Sequence, residues 1–152
     1  MMPGKISKKL EQIDALYRNY NLLYQRLASH LGLSYNKMLI LYTLNQKQIC
    51  TQKFISDSLF LPKQTVNSVV QSLLKDDLVY LEVSKENKKI KNIYLTEKGK
   101  ELAKETVDLL LESEISAAEN LSDQEIDLLV KLTEKHLYFI EKEINKNFKM
   151  NT

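Results

Sequence analysis

The sequence predicts a mainly α-helical protein with one short β-hairpin, and three observations support this fold class. Only three glycines and two prolines occur among 152 residues, so few positions interrupt helices. Apolar residues recur at helical spacing through most of the chain, and the spacing becomes that of strands only between residues 78 and 95. No apolar run approaches the roughly 20 residues of a membrane span.

The clearest helix lies between Leu61 and Lys75. Its apolar residues have the i, i+3, i+4, i+7, i+8 spacing of one buried helix face. They are Val66, Val69, Val70, Leu73 and Leu74. Pro62 stands at the expected first helical position, where no amide donor is needed, and the helix is expected to end at Lys75. The remaining face has no acidic residue, and its side chains are Lys63, Gln64, Asn67, Ser68, Gln71 and Lys75.

This acid-free polar face has two interpretations. An ordinary solvated helix mixes Lys with Glu, because these residues pair one turn apart. Amide, hydroxyl and ammonium groups instead supply the donors and acceptors that read base edges in a DNA major groove, and the lack of carboxylates avoids repulsion from phosphates. The alternative is that these Asn and Ser residues are neutral surface residues. The elements predicted on either side of the helix favour the interpretation that this face reads DNA.

Two further helices are predicted before this one, each with a capping side chain. Ser34 caps a helix that ends near Asn45, and Thr51 caps a short third helix. The buried residues expected in the short helix are Phe54, Ile55 and Leu59. Phe60 and Leu61 then connect it to the polar-faced helix. Two short helices joined by a tight turn, the second with a polar face, are typical of a helix-turn-helix.

A β-hairpin is predicted directly after the helix-turn-helix. Residues 78–83 are β-prone, residues 91–95 alternate polar with apolar, and the segment 84–89 between them is rich in lysine. A hairpin in this position is the wing of a winged helix, and a basic tip suits contact with phosphates or a minor groove. For the tip alone, a solvated turn is the alternative.

Long helices are predicted at both ends of the chain. Residues 6–31 form a heptad seam that Gly32 ends, and helices over 97–119 and 123–148 follow the hairpin, the last with a capping box of Ser122 and Glu125. A winged helix does not need these long apolar stripes for its own core. We therefore expect them to form a two-fold homodimer interface. The residues expected at this interface are Ile6, Leu10, Ile13, Leu137, Ile140 and Ile144.

Composition limits the function. The net charge is only +2, and residues 101–125 contain eight acids against one base, so a nucleic acid would need a local basic surface elsewhere. No Ser-His-Asp set, paired carboxylates or Gly-rich phosphate loop suggests an enzyme. His30, His136 and Cys50 lack ligand spacing, so no metal or other cofactor is predicted. The single cysteine and the absence of a signal-like apolar core at the N-terminus predict a cytoplasmic protein.

Over about residues 6–148, the chain resembles the MarR family of winged helix-turn-helix transcription regulators. The residues that carry the resemblance are Leu61-Pro-Lys-Gln-Thr-Val-Asn-Ser-Val-Val-Gln-Ser-Leu-Leu-Lys, then Leu78-Val79, and then Leu95-Thr96-Glu97-Lys98-Gly99. The resemblance implies a single MarR-like domain over 1–152. Within it, residues 33–100 would be the winged-helix DNA-binding lobe, and residues 5–31 with 101–148 the helical dimerisation lobe.

The resemblance also implies the contacts with DNA. In the major groove, the recognition helix would place Lys63, Gln64, Thr65, Asn67, Ser68 and Gln71. At the neighbouring minor groove, the wing would place Lys85, Asn87, Lys88, Lys89 and Lys91. The implied function is a regulator, in this family usually a repressor, that binds a pseudo-palindromic operator as a homodimer and is released by a small-molecule effector. The candidate effector-pocket residues are Tyr17, Tyr20, Met38 and Tyr42, for which core packing is the alternative.

The chain departs from the family pattern at three places. Phe60 replaces the glycine common in the turn between the helices, and Asp77 replaces the glycine usual before the first wing strand. The wing's Asp-Arg-Arg falls on Asn87-Lys88-Lys89. Lys is more strongly hydrated than Arg and lacks its planar fork, so we expect weaker or less sequence-sensitive wing recognition. The second function class that stays open is a protein-interaction module without sequence-specific DNA binding.

Overall fold

The computed structural model describes residues 4–47 and 49–150, and its elements follow the predicted order. The helices are α1 (Lys5–His30), α2 (Tyr35–Gln46), α3 (Gln52–Leu59), α4 (Lys63–Lys75), α5 (Glu97–Ala103), α6 (Leu109–Ala118) and α7 (Asp123–Phe148). The strands β1 (Val79–Val83) and β2 (Lys91–Leu95) pair in an antiparallel hairpin, with Val79 opposite Leu95. The predicted fold class, mainly helical with a winged helix, is confirmed.

The helix ends lie where the capping residues predict them. The Oγ of Ser34 accepts a hydrogen bond from the Lys37 amide at 3.3 Å, and Thr51 and Ser122 cap α3 and α7 in the same way. Gly32 has φ +68°, and the bonds around it, including Leu33 N to Ala28 O at 2.9 Å, close α1 with a Schellman motif. These signals are local, which explains why the sequence predicts them.

The chain forms two compact units, Met1–Leu109 and Leu110–Thr152. The first unit contains a core in which side chains of α2, α3 and α4 meet both strands and the helix that follows them. The largest fully buried apolar members of this core are Ile40, Leu41, Ile55, Val66, Val70, Leu73, Ile93 and Val107. Cys50 joins the same core, and its carbonyl accepts a hydrogen bond from the Ile93 amide at 2.8 Å. The loop before α3 is thereby held against β2.

Two details near α3 and α4 differ from the sequence predictions. Phe54, expected on the buried face of α3, is 41% exposed, and Ser56 is buried in that helix instead. The hydroxyl of Ser56 donates to the Leu61 carbonyl at 2.7 Å, so its burial leaves no unpaired hydroxyl donor. Pro62 is the N-cap of α4 rather than its first helical residue, a shift of one position.

The helix predicted over 97–119 contains a π-helical turn, Lys104–Asp108, between α5 and α6. Thr106 and Val107 in this turn are buried, and the Thr106 hydroxyl donates to the Leu102 carbonyl at 2.6 Å. Asp108 accepts a hydrogen bond from Asn45 of α2 at 2.8 Å. The π turn adds a residue to one helical turn and so changes which side chains face α2.

Long apolar stripes on α1 and α7 are exposed in the single chain. On α1, Ile6 is 84% exposed, and on α7, Leu137 is 65% exposed. No side chain of α7 is buried, although the described helix carries ten large apolar residues among its exposed positions. None of the described helices is long and apolar enough to cross a membrane.

Candidate nucleic-acid interface

Helix α4 separates an apolar face from a polar one. Val66, Val70 and Leu73 are completely buried, which fixes the orientation of the helix. The opposite face has five exposed side chains among the predicted recognition residues, and a sixth, Thr65, is partly buried. The exposed ones are Lys63, Gln64, Asn67, Ser68 and Gln71. Because α4 has no acidic residue, this face offers amide, hydroxyl and ammonium groups with no carboxylate of its own helix beside them.

The turn before α4 is held by Ser56, a residue that the sequence analysis did not single out. The Leu61 amide donates to the Ser56 carbonyl at 3.1 Å, while the Ser56 hydroxyl donates back to the Leu61 carbonyl at 2.7 Å. Between them, Phe60 adopts φ +52°, in the left-handed region where glycine is favoured. The turn therefore has a glycine-like backbone without a glycine.

The Leu95-Thr96-Glu97-Lys98-Gly99 motif connects the end of the hairpin to the end of α4. Three consecutive carbonyls after α4 accept hydrogen bonds from it. Thr96 Oγ1 donates to the Asp77 carbonyl at 2.7 Å, Thr96 N donates to the Leu78 carbonyl at 3.1 Å, and Lys98 Nζ donates to the Asp76 carbonyl at 2.8 Å. Asp77 has φ +57°, so the second missing glycine also marks a left-handed position. Both departures from the family pattern keep that backbone conformation.

Gly99 explains why the motif ends in glycine. A Cβ at this position would lie 2.0 Å from the Leu78 carbonyl oxygen and 3.0 Å from its carbon. The Gly99 amide donates to Thr96 Oγ1 at 3.0 Å, which caps α5. Only a residue without a side chain lets the first turn of α5 approach the α4–β1 junction this closely.

An ion pair lies at the same junction. Lys37 of α2 contacts Asp76 with an Nζ to Oδ2 distance of 2.5 Å. The hydrogen bond and positive charge of Lys37 lower the pKa of the Asp76 carboxyl below its ordinary value, with smaller contributions from Lys98 and Lys75. The acid that follows α4 is thus paired with a lysine of the protein.

The tip of the wing is an ordered turn. The Ile90 amide donates to the Asn87 carbonyl at 2.9 Å, and the Lys89 amide donates to Asn87 Oδ1 at 3.0 Å. This Asx arrangement is typical of turns and leaves the ammonium groups on the outside. All five predicted wing residues, Lys85, Asn87, Lys88, Lys89 and Lys91, are exposed. Glu86 is exposed in the same tip, so the tip is basic because its lysines outnumber this acid.

The exposed lysines of α4 and the wing are available to a partner's anions. Among residues 4–47 and 49–150, the ion pairs involve Lys37, Lys53, Lys100 and Lys146, and neither Lys63 nor any wing lysine takes part in one.

On one face of the hairpin, Tyr80 and Tyr94 stand opposite each other with ring centroids 5.4 Å apart. Cross-strand aromatic pairs of this kind stabilise a hairpin.

The predicted effector residues have two different environments. Met38 is buried and Tyr42 packs against the core of the first unit. Tyr17 and Tyr20 lie on α1 and are 50% and 66% exposed. Met38 and Tyr42 thus have the core environment named as the alternative for these residues.

Cys50 is a core residue. It is 1% exposed, and burial raises the pKa of its thiol above the ordinary value, with Lys47 acting in the opposite direction. Within the part of the chain that the structure describes, no three His, Cys, Asp or Glu side chains lie close enough together to hold a metal ion.

Comparison with known proteins gives a consistent result. Residues 31–90, which include the helix-turn-helix, the first strand of the hairpin and its tip, match the model of the MarR family. The chain is 25% identical to a MarR family regulator from Neisseria meningitidis, with a TM-score of 0.78 over 91% of this chain and 98% of that one. A MarR/EmrR family transcriptional regulator from Acinetobacter sp. ADP1 is also 25% identical, with a TM-score of 0.72 over 91% and 99% of the chains.

A more distant structure shows the same fold. The transcriptional regulator BldR from Sulfolobus solfataricus is 21% identical, with a TM-score of 0.64 over 87% of this chain and 99% of that one. No curated protein matches the chain. The resemblance to the MarR family that the sequence predicts is confirmed.

Proposed function

We propose that this chain, which has the fold of the MarR family, is a transcriptional regulator that binds DNA directly. In this proposal it binds a pseudo-palindromic operator as a homodimer, represses transcription and is released by a small-molecule effector. The observation that carries the proposal is the exposed, acid-free polar face of α4, Lys63–Lys75. The same unit presents a lysine-rich hairpin tip.

The polar face of α4 is suited to base reading. The amide groups of Asn67 and Gln71 are one turn apart on an exposed face, and each can donate and accept at once. Such amides pair with adenine in the major groove, while Lys63 at the start of the helix can reach guanine or a phosphate. The complete burial of Val66, Val70 and Leu73 on the other side argues that this face keeps a fixed orientation.

The wing is suited to phosphate contact. Its lysines project from a turn that is closed by its own hydrogen bonds, so the charges are presented without disturbing the strands. Lysine acts as a point charge toward phosphate and adds affinity with little sequence preference. We propose that α4 reads bases and that the wing anchors the protein on the DNA backbone.

The homodimer is proposed from the exposed stripes of α1 and α7. Monomeric proteins rarely leave large continuous apolar patches in water. A two-fold dimer would cover these stripes and present two recognition helices to successive major grooves, about one helical turn apart. In this proposal the interface includes Ile6, Leu10, Ile13, Leu137, Ile140 and Ile144.

The exposed and buried surfaces also indicate which residues would contact an effector and which rival functions are disfavoured. Tyr17 and Tyr20 are the effector contacts that we propose, because their rings are exposed, whereas Met38 and Tyr42 are core residues. An enzyme is disfavoured because the family consists of transcription regulators. The protein-interaction alternative would favour an apolar or acidic outer face on α4, and the observed face is neither.

The experiment that tests the division of roles compares Asn67→Ala with Lys88→Ala across a salt series. The cognate duplex is first selected from a random library. Asn67→Ala should cost roughly 1–3 kcal/mol on the cognate duplex and leave binding to a scrambled duplex almost unchanged. Lys88→Ala should weaken both duplexes and reduce the salt dependence by about one phosphate contact.

Matched controls come from exposed positions of other helices. Asn19→Ala on α1 and Lys142→Ala on α7 make the same chemical changes outside the proposed interface and should leave both isotherms unchanged. If Asn67→Ala weakens both duplexes equally and Lys88→Ala affects only the cognate one, the roles of α4 and the wing are reversed. Recovery of no dyad-symmetric motif from the library would refute operator binding.

Dimerisation is tested with Ile140→Glu. A glutamate at this position would be buried in the proposed interface without a partner, so light scattering at micromolar concentration should change from a dimer to a monomer mass. Lys142→Glu places the same side chain about 200° around α7 and should leave the dimer mass unchanged. A monomer mass for the wild-type protein, or a dimer that survives Ile140→Glu, would contradict the proposed interface.

A further inference from the structure

Phe60, in the turn between α3 and α4, combines two unfavourable features. Its backbone has φ +52°, a conformation that bulky residues rarely adopt, and its side chain is 93% exposed. The residues on either side, Leu59 and Leu61, both pack against the core, but the Phe60 ring does not. The packing of the single chain therefore gives no reason for an aromatic residue at this position.

The turn does not need the ring either. Its two holding bonds join Ser56 and Leu61 and leave the residue between them free to vary. A glycine at position 60 would adopt the same φ without strain. A strained residue that the surrounding structure tolerates is often found where function requires its side chain.

The location of Phe60 indicates what the ring would meet. In a helix-turn-helix the first helix crosses the DNA backbone and the N-terminal end of the recognition helix enters the major groove, so the turn lies beside the groove wall. Phe60 is two residues before Pro62, the N-cap of α4. The apolar group that the major groove presents is the C5-methyl of thymine.

We propose that Phe60 is a specificity residue that contacts the C5-methyl group of a thymine at the edge of each half-site. The inference rests on the proposed DNA-binding function and adds an apolar readout to the hydrogen-bonding face of α4. Contact with that methyl also covers the exposed ring. The strained turn holds the ring at the end of α4 that faces the groove.

Two variants test the proposal, because both accept a left-handed backbone. Phe60→Gly removes the ring and the strain, and Phe60→Asn removes the ring with a residue that tolerates positive φ but is less flexible than glycine. Both should have unfolding midpoints no lower than the wild-type protein. Both should bind the selected duplex about tenfold more weakly than the wild-type protein does.

The decisive measurement replaces each thymine of the selected duplex, one position at a time, with deoxyuridine, which lacks only the methyl group. For the wild-type protein, one symmetric pair of positions should lose about fourfold in affinity per half-site, the value of one buried methyl-sized group. For Phe60→Gly and Phe60→Asn, thymine and deoxyuridine at those positions should bind equally.

The alternative outcomes are distinguishable. If both variants keep the wild-type preference for thymine at every position, Phe60 is not a specificity residue and the proposed function stands. If both lose affinity by the same factor on thymine and deoxyuridine duplexes, the ring contacts the sugar–phosphate backbone and the methyl assignment is wrong. If the wild-type protein selects no duplex at all, the proposed function itself fails, and this inference fails with it.

Discussion

Replacement of Gly99 by alanine tests the close approach of α5 to the Leu78 carbonyl. The added Cβ would lie 2.0 Å from the Leu78 carbonyl oxygen, more than 1 Å inside an ordinary van der Waals contact. The oxygen belongs to the backbone and cannot rotate away. It also accepts a hydrogen bond from the Thr96 amide at 3.1 Å, so moving it disturbs the connection between the hairpin and α4.

The expected cost follows from three contributions. Relieving the overlap through backbone shifts costs about 2–3 kcal/mol, the upper part of the usual range for overpacking, because the overlapped atom is a backbone oxygen. Weakening the hydrogen bond to Leu78 adds about 1 kcal/mol. Alanine is a better helix former than glycine by about 1 kcal/mol, which offsets part of this loss. We expect Gly99→Ala to lower the free energy of unfolding by about 2–3 kcal/mol.

The chain contains its own controls, because its other two glycines have no such contact. Gly4 has nothing within 4 Å of an added Cβ, so Gly4→Ala should change stability by less than about 0.5 kcal/mol. Gly32 also has open space but φ +68°, so Gly32→Ala should cost about 1 kcal/mol through backbone strain alone. Denaturant unfolding measures all three. Equal effects for Gly99→Ala and Gly32→Ala would refute the argument from the close approach to Leu78.

Two further predictions concern Asp76 and Cys50. Because Lys37 lowers the pKa of Asp76, the ion pair contributes stability above the ordinary aspartate pKa of about 3.9, and this contribution disappears as the pH falls below that value. Between pH 5 and 3, stability should fall less in Lys37→Met than in the wild-type protein, and parallel pH curves would contradict this. Burial and a raised pKa should make the Cys50 thiol react with an aromatic disulfide reagent on the order of 100-fold more slowly in the native than in the denatured protein. Equal rates would mean that the thiol is accessible.

Local signals in the sequence predicted most of the fold. Ser34, Thr51 and Ser122 cap the helices that were expected to begin there, and Gly32 ends α1. The apolar spacing of α4 predicted which of its faces is buried, since a helix with one apolar stripe has one way to dock. The exposure of the polar face follows from the same spacing. Its role in binding DNA stays a prediction.

Features that depend on distant residues were not predictable in this way. The buried hydroxyl of Ser56 needs an acceptor, and the tight turn supplies one by bringing the Leu61 carbonyl back beside α3. The π turn at Lys104–Asp108 packs against α2, and the spacing of apolar residues in the helix does not indicate it. Helical spacing predicts that Phe54 is buried, but spacing alone does not determine burial, because proteins expose many apolar side chains.

The α4–β1 junction explains how the two proposed DNA-binding elements keep a fixed arrangement. The carbonyls of Asp76, Asp77 and Leu78 follow the end of α4 directly, and all three accept hydrogen bonds from the segment that follows β2. The end of α4 and the segment after β2 are thereby joined by three hydrogen bonds. If both elements contact DNA as proposed, the distance between the helix that reads bases and the base of the hairpin that contacts phosphates is set before binding. We then expect release of DNA to move α4 and the base of the hairpin together, because these hydrogen bonds join them.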